Sequence, residues 1–170
     1  MVPSARVGYE TLLVFPPIES IVMTLLIYEV RESLPDDFEN LLSDSVEGGH
    51  QFLQRPQTEW LSGANRFSKA GERLVIATKQ GWLIGVGGIN VDPYLDDSAI
   101  GRVRHVYVHS HFRRAGVGRA ILQDLEKNAG HHFGVLTLRT KNPEADLFYR
   151  ASGFRRVHDN PLVTHQKTLG

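Results

Sequence analysis

A chain of 170 residues with 19 basic and 19 acidic residues and no cysteine is long enough to bury one full core. It has no means of forming a disulfide, a thiolate metal site or a cysteine nucleophile. Hydrophobic (41%), charged (22%) and aromatic (9%) fractions are those of a globular domain and exclude a disordered chain or a long coiled coil, while balanced charge and a pI of about 7.1 disfavour a general nucleic-acid binder.

Residues 1–22 carry Glu10 and the pair Pro16-Pro17 where a signal peptide needs a basic start and a continuous apolar stretch. They read as an extension, flexible or not native, ahead of a domain spanning 23–170, with Met23 the expected start. The longest apolar stretch, Ile21 to Tyr28 with Thr24 inside it, is too short to cross a bilayer. A cytoplasmic protein with no membrane partner is therefore expected.

Leu25, Leu26, Ile27, Tyr28 and Val30 place a first strand within Met23 to Arg31. A polar helical region follows from Asp36 to about Asn65, which Gly48, Gly49 and Pro56 should break in two. Arg73 to Thr78 and Trp82 to Val91 are β-rich runs joined by Lys79-Gln80-Gly81, a hairpin pattern. Gly85, Gly87 and Gly88 weaken the second run as a strand but permit close approach of another backbone or a ligand.

After the acidic loop Asp92 to Asp97, a strand is expected over Gly101 to Val108 and a helix over about Val117 to Ala129. Val117, Ile121, Leu122, Leu125 and Ala129 share one face of that helix, and Gly130 ends it as a C-terminal cap. Val135 to Leu138 forms the next strand, and a strand, helix, strand order with short connections implies a right-handed parallel crossover over residues 102–140. Asn142 followed by Pro143 and Glu144 starts a further helix, closed by Gly153. Val157 and Leu162 to Leu169 supply two final strands. The fold class is α/β with a mixed sheet.

Between Asp97 and Asp124 there is no acid, while Arg102, Arg104, Arg113, Arg114 and Arg119 fall there with His105, His109 and His111. The same stretch joins a strand, a glycine-containing turn and a helix start. The amides of such a turn lack intrahelical partners and point with the positive end of the helix dipole, which makes a phosphate site. A basic patch centred there suits a polyphosphate ligand. From Glu29 to Glu59 acids dominate instead, consistent with a cationic acceptor or with a solvated helix face.

Two blocks carry a family resemblance. Val106-Tyr107-Val108 through Arg113-Arg114-Ala115-Gly116-Val117-Gly118 resembles the Arg/Gln-x-x-Gly-x-Gly/Ala motif of the GNAT family of acetyl-CoA-dependent N-acetyltransferases. Asn142 through Phe154 resembles that family's Asn-x-x-Ala-x-x-x-Tyr-x-x-x-Gly-Phe block. The resemblance extends over the element order from about Met23 onward. It implies a mostly antiparallel central sheet flanked by helices, acetyl-CoA as cosubstrate, and transfer of an acetyl group to an amine on a small molecule or a protein. It further implies that Val106, Tyr107 and Val108 pair with the pantetheine arm. Arg113, Arg114, Ala115, Gly116, Val117, Gly118 and Arg119 would hold the pyrophosphate, and Asn142 and Tyr149 would lie near the thioester.

A tyrosine with a pKa of about 10 stays protonated at neutral pH and suits Tyr149 to donate to a departing thiolate. Without cysteine the thiol-linked ping-pong route is closed, so direct transfer in one ternary complex is implied. An amine of pKa near 10.4 is neutral in only about one molecule in 2,500 at pH 7, so its proton must be taken. The family often places a glutamate on the strand before the glycine turn, whereas this strand reads Gly101-Arg102-Val103-Arg104-His105-Val106. His105 is the nearest titratable substitute. A water chain, or an acid among Asp92, Asp96 and Asp97, is the alternative. His105, His109 and His111 do not have metal-site spacing, and no metal is expected.

A nicotinamide-dependent oxidoreductase would require a third glycine where Ile121 stands and an acid where Arg139 and Thr140 stand. The missing strand carboxylate leaves a rival within the same fold, a non-catalytic acyl-CoA-binding sensor or scaffold. Monomer and homodimer are both compatible with the sequence.

Overall fold

The computed structural model describes residues 24–170; the extension over 1–22 and Met23 as a start lie outside the described residues. The chain runs β1 (Leu25–Glu29), α1 (Phe38–Glu47), α2 (Gln54–Ser62), β2 (Arg73–Lys79), β3 (Trp82–Val91), β4 (Ile100–Val108), a short 3-10 turn (Ser110–Phe112), α3 (Val117–Ala129), β5 (Val135–Leu138), α4 (Pro143–Ala151), β6 (Arg155–Arg156) and β7 (His165–Thr168). These strands form one mixed sheet in the order β1-β2-β3-β4-β5-β7-β6. Every pairing is antiparallel except β4 with β5, the crossover expected over residues 102–140.

The β2–β3 hairpin turns through Gln80 (φ 51°) and Gly81 (φ 81°), two left-handed residues whose twist matches that of the flanking strands. Helix α3 buries the five residues expected of it. They pack on Val75, Ala77, Ile84 and Val103 to form one core layer. A second layer, built around Phe38, Leu41, Leu53, Trp60 and Phe67, seats α1 and α2 on the opposite face. Each fully buried aliphatic side chain contributes about 1.5–3 kcal/mol, so the sheet is clamped between two apolar layers.

Three expectations need correction. Pro56 lies inside α2 rather than breaking it. It is the third helical residue, where the missing N–H has no intrahelical carbonyl to lose; the break comes from Gly48 and Gly49, the latter at φ 79°. The glycines of β3 admit side chains and, at Gly85, the Tyr107 carbonyl at 3.2 Å from the Cβ position, but none of them lines the large cleft along β4. A Cβ on Gly85 or Gly87 would meet Ile121 at 2.8 or 2.6 Å, and one on Gly88 would meet Phe67 at 2.6 Å. Gly130 caps α3 as expected, in the right-handed region at φ −61°. The last strands are shorter than expected because Leu162 and Val163 form a turn, their amides donating to the Asn160 side chain (2.9 Å) and carbonyl (3.3 Å).

Candidate active site

Parallel pairing between β4 and β5 begins at Ile100–Val135 and stops at Arg102–Thr137, although β4 continues to Val108. The register of β4 against β3 shifts between Arg104 and Tyr107, where His105 and Val106 together face the single residue Gly87. This is a β-bulge, which bends the strand that carries it. Its first residue, His105, sits at φ 60°, a left-handed conformation costing a non-glycine residue about 1–2 kcal/mol. Past Arg102 and Thr137 the two parallel strands part, and the bulge follows on the β4 side. Their separated ends, the turn after β4 and the first turns of α4 enclose a cleft of about 1090 Å³. Of the residues singled out from the sequence between His105 and Arg119, all line this cleft except His109, His111 and Ala115, and Asn142 and Tyr149 join them.

Main-chain groups dominate one end. Arg114 (φ 58°) and Gly116 (φ 81°) are both left-handed, and Gly116 is the N-cap of α3 without any side-chain cap. The first amide of the helix to reach a carbonyl is that of Ala120, donating to Gly116 at 3.0 Å. Among the described residues, the amides from Arg114 to Arg119 donate to no backbone carbonyl, so they converge unpaired at the positive end of the helix dipole. Such a nest binds oxyanions such as a pyrophosphate. Ile121 lies one turn on and is fully buried between α3 and the β3 glycines. Shape complementarity there replaces the third glycine of a dinucleotide site, which disfavours the oxidoreductase alternative.

A side-chain knot fixes that turn. The Asp44 carboxylate of α1 accepts hydrogen bonds from the Tyr107 hydroxyl (2.7 Å), the Ser110 amide (2.8 Å) and the Ser110 hydroxyl. Burial alone would raise its pKa, but these bonds outweigh burial and hold the carboxyl below its ordinary range. Burial and the neighbouring Asp44 charge push Tyr107 up to about 12. Arg113 folds back over the Tyr107 ring, donating from Nε to the Val108 carbonyl (3.1 Å) and from its terminus to the Tyr107 hydroxyl (3.0 Å). The Val108 carbonyl is thereby engaged by Arg113. No ion pair holds Arg114 or Arg119 among the described residues.

At the middle of the cleft, Tyr149 packs edge-on against Phe148 and Phe154. Burial raises its pKa above the ordinary phenol value, which keeps it protonated as a donor. Asn142 caps α4, its side chain accepting from the amides of Glu144 (2.8 Å) and Ala145 (3.3 Å), so its carbonyl oxygen is committed to the helix. Burial, reinforced by the Arg104 charge, depresses His105 to about 3, and its Nε2 is buried without a partner. At neutral pH this ring is uncharged and a weak base. The loop acids fare no better. Asp92 is buried against Arg102 (3.2 Å) and the Thr137 hydroxyl, Asp97 caps Ala99 at 2.8 Å, and neither these nor Asp96 lines the cleft. Glu144 alone among the described carboxylates does.

Sequence reasoning missed the other end. Arg55 of α2, Tyr94 of the loop after β3, and Arg102 and Arg104 of β4 line it, with Arg102 stacked over the Tyr94 ring at 4.7 Å. The alternation of Arg102 with Arg104 along a strand was the available signal, since both must share one face. None of the acids from Glu29 to Glu59 lines the cleft. Among the described residues, no group of three or more histidines and acids is placed to hold a metal, and no helix is long and apolar enough to cross a membrane.

Comparison with known proteins agrees with this architecture. Residues 43–166 match the family model described as an acetyltransferase (GNAT) domain. A candidate acetyltransferase from Exiguobacterium sp. 255-15 superposes with a TM-score of 0.76 at 26% identity, covering 86% of this chain and 94% of that one. A GNAT-family acetyltransferase from Staphylococcus aureus Mu50 gives 0.67 at 16% identity over 86% and 100% of the two chains. A ribosomal-protein-alanine N-acetyltransferase from Brucella melitensis gives 0.63 at 22% identity over 85% and 99%. The last two likenesses concern the fold alone.

Proposed function

Since the chain belongs to the GNAT acetyltransferase family, we propose that it transfers an acetyl group from acetyl-CoA directly to an amine within a ternary complex. The observation that carries this reading is the coincidence, along one cleft, of an unpaired amide nest and a protonated buried tyrosine. In this reading the amides from Arg114 to Arg119, with the Arg114 and Arg119 side chains, hold the pyrophosphate. The parted edge of β4 over Val106 to Val108 receives the pantetheine arm once Arg113 releases the Val108 carbonyl.

The neutral amine attacks the thioester carbon, a nitrogen–carbon bond forms, and the carbon–sulfur bond breaks. The departing thiolate takes its proton from Tyr149, and the amine proton, passed to water in the open cleft, is returned from water to the tyrosine. His105 contributes an uncharged wall to the cleft, not a base. Asn142 acts through the helix it caps, setting the position of Tyr149 two turns on.

The experiment is to supply acetyl-CoA with a panel of amines and follow both free thiol and acetylated amine. Expected are amine-dependent thiol release and initial-rate lines that intersect when both substrates are varied. Tight acetyl-CoA binding with no acetylated product from any amine would instead assign a non-catalytic binding module. Parallel lines would contradict direct transfer.

A further inference from the structure

Five arginines in the acid-free stretch of sequence read as one basic patch, but the fold divides them. Arg113, Arg114 and Arg119 stay with the turn. Arg104 lies four residues back along β4, about 13 Å at the strand rise of roughly 3.3 Å per residue, on the far side of the bulge. Arg102 is neutralised by Asp92 and further bound to the Leu162 carbonyl at 2.9 Å. Arg55 is held by Glu59 at 2.6 Å. Arg104 differs from both. It lines the cleft and makes no ion pair among the described residues, where its side chain donates one long hydrogen bond of 3.3 Å to the Asn90 side-chain oxygen.

The Asn90 oxygen is itself already bonded by the Asn65 amide at 2.9 Å, so it leaves most of the guanidinium fork unused. The Glu59 charge also reaches Arg104, but Glu59 makes no ion pair with it: Oε1 is held by Arg55 at 2.6 Å and Oε2 is buried without a hydrogen-bond partner among the described residues. Three arginines against two carboxylates leave this end of the cleft with one uncompensated cation. Burial and the adjacent Arg55 work against the charge of Arg104, so an incoming anion is favoured there twice over, by attraction and by relief of repulsion. A planar guanidinium with free donors matches the two oxygens of a carboxylate or phosphate.

We propose that the amine acceptor also carries an anionic group, a carboxylate or a phosphate, and that Arg104 grips it, with Arg55 and Tyr94 beside it. This rests on the acetyltransferase reading above and narrows it to a substrate class. It replaces the cationic acceptor that the acidic run from Glu29 to Glu59 allowed. The same positive field disfavours an ammonium ion, which favours the neutral nucleophile in a site where His105, the histidine of the bulge, is a weak base. A simple diamine would meet repulsion there.

The test compares kcat/KM for amino acids with that for their carboxamides, and for phosphoethanolamine with that for ethanolamine, with a diamine as the cationic arm. Wild-type protein should prefer one anionic member over its neutral counterpart by about 30-fold, the worth of a charged hydrogen-bonded contact. Which pair shows the preference identifies carboxylate or phosphate. Arg104→Gln should bring that ratio close to unity with the KM for acetyl-CoA unchanged, and Arg104→Lys should keep part of it. Equal or better turnover of neutral amines or the diamine, with ratios unmoved by Arg104→Gln, would overturn the proposal while leaving the acetyltransferase reading intact. A raised KM for acetyl-CoA with an unchanged ratio would overturn it by assigning Arg104 to the cofactor. Absence of turnover with every amine, despite acetyl-CoA binding, would overturn the catalytic reading itself.

Discussion

From Arg114 to Arg119 the cleft is lined by main-chain amides that the left-handed Gly116 and the start of α3 leave unpaired, whereas around Arg104 it is lined by side chains brought together from α2, the loop after β3 and β4. The first arrangement depends on backbone shape and tolerates many side chains. The second depends on which side chains are present and on which of them are already neutralised. In the proposed reading, binding a cofactor common to a family and selecting an acceptor peculiar to one member are therefore separable tasks, assigned to different parts of one groove.

The sharpest way to break this division is to place a charge at the backbone end. A Cβ on Gly118 has ordinary contacts of 3.5 Å with Phe148, so Gly118→Glu fits, and a first-turn carboxylate suits the helix dipole. Thermal stability should hold, while the KM for acetyl-CoA rises by more than about 100-fold through repulsion of the diphosphate; calorimetric binding alongside a melting curve checks both. Tyr149→Phe should lower kcat by roughly 100-fold, the usual worth of a positioned proton donor, with both KM values little changed. An unaltered kcat would remove Tyr149 as the acid.

Asp44 joins the two regions, since it belongs to α1 but holds the turn that follows β4. Asp44→Asn should raise the KM for acetyl-CoA by about 10-fold, near the worth of one charged hydrogen bond, and leave the preference among amines unchanged. Because the folded carboxyl titrates below its unfolded value of about 3.9, its stabilisation is fully present above that pH and is lost as pH falls through the lower folded value. Acid unfolding of the variant should lack this component. The smallest effect is expected at His105. With its pKa near 3, the wild-type pH–rate profile should show no limb at the ordinary histidine value of about 6.5. A limb there that disappears in His105→Gln would restore the histidine as base.

The contrast also explains what the sequence disclosed. Strand alternation, the buried stripe of α3, the Asn142 cap and the glycines of the turn are local features, each written within a few consecutive residues, and the fold and the backbone end of the cleft follow from them. The knot of Asp44 with Tyr107 and Ser110 spans more than sixty positions, and Arg55, Tyr94 and Arg104 converge only once the hairpin and crossover have formed. His105 misled for a related reason. Its type suggested an ordinary pKa, but the bulge that buries it beside Arg104 is a property of the register between β3 and β4, which no single residue announces.

The central claim is that main-chain groups of the parted strand and the helix start hold the acyl-CoA. Hydrogen exchange measured with and without acetyl-CoA tests it amide by amide. The predicted result is slowed exchange confined to residues 103–108 and 114–119, the two segments that meet in the cleft. Unchanged exchange in both, with protection arising elsewhere under saturating acetyl-CoA, would contradict it.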